Sequence, residues 1–253
     1  MSRRSAPGAS ATREPALSHD FVVTIAPGFN GPPASANGGY ACGRLAVLAA
    51  GHLDGPVAVT LLAPVPLGVP VHYRVSGRRG QAWAGDELVA TVGSANDEAV
   101  VVPGVSRAEA EAASRSFLGR TGHPFPGCFA CGVDRAGDGL GLTPGQVPGL
   151  PGTVACLWSP AARFGDGSGA VATEVVWAAL DCPGGWTGDP RVEPRLLGRM
   201  AARIEEPPRI AGTCVVVART TGGGGHVVVN STALYDAEDG RLLASATAHW
   251  VAI

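Results

Sequence analysis

Lysine is absent: all 19 basic side chains among the 253 residues are arginine. A chain without lysine has no P-loop lysine and no lysine amine to form a Schiff base with a carbonyl substrate or pyridoxal phosphate. No run of eighteen apolar residues occurs, so no transmembrane helix is expected. Behind Arg3 and Arg4 there is no apolar segment, so Met1–Ser18 reads as a disordered tail and not as an export signal. The Gly-x-Ser-x-Gly elbow of α/β-hydrolases is missing. Nineteen basic against 21 acidic side chains give a net charge of −2, which offers no electrostatic footprint for nucleic acid. The six cysteines are too scattered for a disulfide framework, and a reducing cytoplasm is the expected compartment.

What is present describes a globular chain. Apolar residues make up 45% and charged residues 16%, and the length suits one large domain or two small ones. With 37 glycines and 21 prolines, nearly a quarter of the chain is turn-forming, without any collagen-like period. Many short strands joined by turns account for this.

Along the chain, Phe21–Ile25 reads as a strand, and Asn37-Gly38-Gly39 as the capped start of a helix over Tyr40–Ala50. Strand-like segments follow at Val57–Ala63, Val69–Val75 and Leu88–Val92, the first two separated by the turn Pro64–Gly68. Ser106–Leu118 is a helix opened by a capping box, Ser106 to Glu109. The pattern then restarts: strand Val154–Trp158, loop Phe164–Ala170, helix Thr173–Asp181, turn Pro183-Gly184-Gly185. Four further strands are expected at Met200–Ile204, Thr213–Ala218, His226–Tyr235 and Leu242–Val251, with Gly222–Gly225 as a tight turn.

Short echoes run in the same order through both halves. Phe29-Asn30-Gly31 matches Phe164-Gly165-Asp166, Pro66-Leu67-Gly68 matches Pro208–Gly212, and Asp86–Ala90 matches Gly240–Ala244. They indicate an internal duplication with a period of about 135–145 residues. A single sheet covered on one face by a helix has unpaired edges, and a second copy in the same chain supplies the partner.

This order resembles the hotdog fold, and a fused pair resembles the double-hotdog acyl-CoA thioesterases. The residues carrying the resemblance are Asn37-Gly38-Gly39-Tyr40 at one helix start and Trp177–Asp181 in the other helix, with Pro66-Leu67-Gly68 and Gly240–Ala244 as strand punctuation. Small hotdog thioesterases carry His-Gly-Gly before the helix and an aspartate seven residues after the second glycine. Here Asn37 stands for the histidine in the first half and Ala46 for the aspartate. In the second half Asp181 occupies the acid position, while Ala172-Thr173-Glu174 replace His-Gly-Gly. The late-strand glutamine of longer members has no counterpart in Ser245–Trp250, where Thr247 or His249 would have to serve.

The resemblance implies an α+β protein: a double hotdog, two antiparallel sheets each wrapped around a central helix, in one chain. Its expected organisation is a tail over 1–18, a first hotdog over 19–104, a linker helix over 105–121 and a second hotdog over 122–253. It implies hydrolysis of an acyl-CoA or related thioester, or binding of such a ligand without turnover, in the cytoplasm. The partner is a small acyl thioester, with neither nucleic acid nor membrane involved. No separate cofactor is needed, the CoA moiety being part of the substrate, and outer strands leave room for a homodimer of double hotdogs.

Thioester hydrolysis needs a carboxylate to activate water and donors facing the carbonyl oxygen. Glu174, Trp177 and Asp181 fall on one helical stripe, two turns long. Asp181 and Glu174 are therefore the candidate catalytic acids. Asn37, Gly38, Gly39, Tyr40, Thr173 and Trp177 are the candidate substrate-binding residues. Each has a plainer role available: Asp181 as a turn cap before Cys-Pro-Gly-Gly, Glu174 as a first-turn helix acid, Tyr40 and Trp177 as core, Asn37 as an N-cap. Arg199, Arg203 and Arg219 are candidates for a CoA phosphate, though such arginines are more often solvated surface charges. Cys128-x-x-Cys131, with His123 nearby, is compatible with half a metal site, a redox pair or a structural loop. Because Cys156, Cys182 and Cys214 stand alone in sequence, no metal is expected.

Overall fold

The computed structural model describes residues 18–53, 55–95 and 100–253. The expected tail lies outside them apart from Ser18, which opens a strand. Alternating burial sets the strands: in Val71–Ser76 every second side chain is buried, so one face of the pleat meets the core and the other meets water. The first half comprises β1 (Ser18–Val23), α1 (Gly38–Ala49), β2 (Val57–Leu61), β3 (Val71–Ser76), β4 (Arg79–Ala84) and β5 (Glu87–Ser94). Helix α2 (Arg107–Arg115) follows, opened by the reciprocal capping box between Ser106 and Glu109. The second half comprises β6 (Gly145–Gln146), β7 (Thr153–Trp158), α3 (Thr173–Gly185), β8 (Arg195–Ile204), β9 (Cys214–Gly224), β10 (Val227–Asp236) and β11 (Leu242–Ala252). None of the described helices is long and apolar enough to cross a membrane.

The strand order is β1-β3-β4-β5-β2-β8-β11-β10-β9-β7-β6. Read outward from the middle, the halves are the same: β2, β5, β4, β3, β1 on one side and β8, β11, β10, β9, β7 on the other. The loops repeat as well. Asn30 bridges Ala36 as Gly165 bridges Val171, and Ser35 bridges Pro66 as Ala170 bridges Arg209. Asn37 N–H donates to Phe29 O at 2.8 Å, and Ala172 N–H to Phe164 O at 2.9 Å. The duplication is thus structural.

The two expected sheets are in fact one. Strands β2 and β8 pair antiparallel, with Ala58, Val59 and Thr60 opposite Ala201, Met200 and Arg199. Each strand would otherwise be a bare edge, and the pairing satisfies both rows of backbone groups. Helices α1 and α3 lie against each other and against the sheet, over one core that runs through both halves. Helix α2, expected as a linker, also packs on β6, β7 and β9. With Ala110 and Ala113 it closes a second, smaller cluster around Ala155, Val215 and Val217, on the opposite face of those strands.

Other boundaries differ from the sequence reading, among them the start of β8, which opens at Arg195 and not at Met200. β4 forms between Val75 and Leu88, outside the expected strand-like segments. The Gly222-Gly223-Gly224 run belongs to β9, so the turn to β10 falls later, at Gly225 and His226. Helix α3 does not stop at Asp181; it continues through Pro183 to Gly185. Its terminal Gly184 carbonyl is capped by Asn230 Nδ2 at 2.7 Å and Thr187 Oγ1 at 2.9 Å. The glycines there leave room for an indole, since a Cβ on Gly185 would lie 2.9 Å from Trp250 Cη2.

Candidate active site

The close approach of α1 to α3 places the site. A Cβ on Gly43 would lie 2.6 Å from Glu174 Cα. One on Gly39 would lie 2.6 Å from Trp177 O and closer still to Asp181 Cβ. Glycine at both positions lets the helices cross with backbones nearly touching, and the carboxylate of α3 arrives at the N-terminus of α1. Gly39 N–H donates to Asp181 Oδ2 at 2.8 Å, and Asn37 Nδ2 donates to the same oxygen at 3.4 Å. Asn37 is also the N-cap of α1, its Oδ1 accepting from Tyr40 N–H at 2.9 Å. One residue caps the helix with its oxygen and holds the acid with its nitrogen.

Asp181 is 2% exposed. Burial pushes its carboxyl up to about 7; the Gly39 amide pulls it down, the Cys128 sulfur raises it and the Asn37 amide lowers it. Its second oxygen, Oδ1, is buried and has no hydrogen-bond partner among the described residues. A carboxylate with one oxygen anchored and the other bare, titrating near neutrality, is equipped to take a proton from water.

Asp181 lines a cavity of about 320 Å³ with Asn37 and Gly38. Leu61, Leu62, Val65, Leu197 and Trp250 give it an apolar wall, and Arg195 adds one cation. Arg195 pairs with Glu193 at 2.7 Å, while its Nη1 is buried without a hydrogen-bond partner among the described residues. At the start of α1, Gly39 N–H serves Asp181, Tyr40 N–H serves Asn37 Oδ1 and Ala41 N–H closes on Asn37 O. That leaves Gly38, on the cavity wall, with the amide available to a ligand.

The other expected site residues lie elsewhere. Glu174 pairs with Arg44 at 2.9 Å across the helix crossing and does not line the cavity. Tyr40 stacks on Phe29 with ring centroids 4.1 Å apart, and Trp177 is buried against Gly43. Thr173 is exposed at the start of α3. Arg199 donates to Thr60 at the seam, Arg203 pairs with Glu205, and neither these nor Arg219, Thr247 or His249 reaches the cavity. Under the duplication Ala172, Glu174 and Ala46 correspond to Asn37, Gly39 and Asp181, so the mirror-related site lacks its acid.

The sequence reading missed the surroundings of Asp181. Cys128, Cys131, Cys182, His123, Trp186 and Arg195 all line the cavity. The Cys-x-x-Cys spacing was a signal for two of them; the arrival of Cys182 had none, because it depends on how α3 docks.

No family model matches the sequence, and no curated protein matches it significantly. Solved structures do match. A TesB protein from Mycobacterium avium subspecies paratuberculosis is 15% identical, with 92% of this chain and 93% of that one covered at a TM-score of 0.60. A candidate oleoyl thioesterase from Lactobacillus plantarum is 13% identical, with 94% and 97% covered at 0.57. A protein from Alicyclobacillus acidocaldarius described by its hot dog fold is 16% identical, with 92% and 93% covered at 0.50. Together with the duplicated topology, these likenesses establish that the chain has the hotdog fold, similar over nearly its whole length to proteins of the thioesterase type.

Proposed function

We propose that the protein hydrolyses an acyl thioester, with Asp181 as the base. The observation that carries this reading is the buried carboxylate at the wall of an apolar cavity, one oxygen held by Gly39 and the other unpartnered. The acyl group lies against Leu61, Leu62, Leu197 and Trp250, and the carbonyl oxygen accepts from Gly38 N–H. Water beside Asp181 Oδ1 attacks the carbonyl carbon as its proton passes to the carboxylate. Collapse of the tetrahedral intermediate breaks the C–S bond, and the leaving thiolate takes that proton back. Products are a thiol and a carboxylic acid, which releases its proton to solvent. Glu174 has no part in these steps; it clamps α3 to α1 through Arg44. Arg195, with a free N–H group at the cavity, suits an anionic group of the substrate such as a CoA phosphate.

Resemblance to thioesterases supports a CoA ester as substrate in a cytoplasmic setting, with no cofactor required for these steps. The test is a panel of acyl-CoAs of increasing chain length, followed by a thiol-detecting reagent and, in parallel, by calorimetry. Thiol release for at least one ester supports hydrolysis. Saturable binding without release identifies a ligand-binding protein instead, and neither binding nor release across the panel removes the CoA ester as the ligand.

A further inference from the structure

Three buried sulfurs meet beside the cavity. Cys128 and Cys131 come from the loop before β6, and Cys182 from α3; their Sγ atoms all lie within 4.8 Å of one another. Cys128 Sγ and Cys182 Sγ are 3.7 Å apart. Thiolates around tetrahedral zinc, with Zn–S near 2.3 Å, have sulfurs about 3.8 Å apart, so this edge already has the spacing of a metal site. None of the three is in a disulfide.

Side-chain N–H donors converge on the three sulfurs. Asn37 Nδ2 donates to Cys182 Sγ at 3.5 Å, and Trp186 Nε1 to Cys131 Sγ at 3.4 Å. His123 Nε2 lies 3.3 Å from Cys131 Sγ. Phe125 N–H donates to His123 Nδ1 at 2.9 Å, which places the ring proton on Nε2, facing the sulfur. His123 is therefore a hydrogen-bond donor to the cluster. Three side-chain N–H groups, from Asn37, Trp186 and His123, thus point at the sulfurs, the kind of outer-shell donors that orient the ligands of a metal site.

We infer that Cys128, Cys131 and Cys182 bind a soft divalent cation, zinc being the best fit, with an exchangeable fourth position open to the cavity. Binding exchanges three thiol protons for the ion, which leaves a complex of net charge −1 when water fills the fourth position. The ion ties the Cys128–Cys131 loop to α3 one residue from Asp181 and fixes that wall of the cavity. Three protein ligands and one open place set the site apart from closed structural zinc centres. The inference does not depend on thioester hydrolysis, and its failure would leave the Asp181 reading untouched.

The test uses the full chain purified under reducing conditions without chelator. Mass spectrometric metal analysis is expected to find one zinc per chain in the wild type and in Cys156→Ser, whose sulfur lies outside the cluster. Cys131→Ser and Cys182→Ser should lose it. Trp186→Phe, which removes one N–H from Cys131, should weaken zinc affinity about 10–100-fold. Cobalt exchanged into the wild type should give sulfur-to-cobalt charge-transfer absorption and the intense visible bands of tetrahedral coordination, unchanged in geometry in His123→Ala. Because a cysteine variant that misfolds would also lose metal, a mercurial titration of folded wild type serves as the second measurement. Zinc release that tracks modification of three thiols supports the site. A wild type that takes up neither zinc nor cobalt, or that keeps its metal in Cys182→Ser, overturns it; so does a Cys128–Cys182 disulfide in protein made in a reducing cytosol.

Discussion

Gly39 and Asp181 belong to different halves of the chain, yet the amide of one donates to the carboxylate of the other at 2.8 Å. The first half supplies the helix N-terminus and the second supplies the acid, so neither half holds the site alone. Their contact also couples fold to function: the glycine that lets the helices cross is the one whose N–H orients the acid.

The first consequence is a pH dependence of rate. The carboxylate must be ionised to accept a proton, and its pKa is about 7. The kcat/KM of the best ester should fall on the acid side with an apparent pKa near that value. A flat profile between pH 5 and 8 would show that another group sets the rate.

A second consequence concerns stability. Asp181 titrates near 3.8 when unfolded and about 7 when folded. The folded state binds the proton more tightly, so its contribution is complete below the unfolded value and is lost as pH rises through the folded one. It amounts to roughly 4 kcal/mol across that window. Asp181→Asn should remove this slope: urea midpoints of wild type and variant converge near pH 4 and separate by pH 8, with the variant more stable.

Crowding at the helix crossing gives a third. A methyl group at position 39 or 43 would press on the α3 backbone, which cannot swing aside as a side-chain tip can. Gly39→Ala and Gly43→Ala should each cost at least about 1–3 kcal/mol in chemical denaturation. Gly39→Ala should also depress turnover more than Gly43→Ala, because it displaces Asp181 directly.

Glu174 offers a fourth. Its carboxylate pairs with Arg44, part-exposed, and lies outside the cavity wall. Glu174→Gln should lower stability by less than about 1 kcal/mol and leave kcat/KM essentially unchanged. A collapse of turnover without loss of fold would return Glu174 to the chemistry.

Much of the fold is legible in the sequence because turns are written locally. The Asn37-Gly38-Gly39 cap, the Ser106–Glu109 box and the Pro-Gly punctuation mark the elements, and their order exposes the duplication. β4 is weakly marked because its inward positions are Gly80 and Ala82; Gly80 is small because the Tyr73 ring lies over it, with Cε2 2.7 Å from where a Cβ would be. The end of α3 is misread at Pro183-Gly184-Gly185, since the helix there is held by Asn230, Thr187 and the packed Trp250, all distant in sequence. Helical spacing puts Glu174 and Asp181 on one stripe, but Gly39 meets Asp181 at one end and Arg44 meets Glu174 at the other. The joining of two sheets into one, and the meeting of Cys182 with Cys128, are long-range events that no local pattern records.

Asp181→Asn keeps the shape of the acid and both anchoring hydrogen-bond directions while removing its basicity. The decisive measurement compares this variant with wild type on the best acyl-CoA, with turnover from thiol release and affinity from calorimetry on the same preparations. With Asp181 as the base, kcat should fall about 10²–10⁴-fold with affinity nearly unchanged. Turnover that survives the substitution at the wild-type rate would contradict that role.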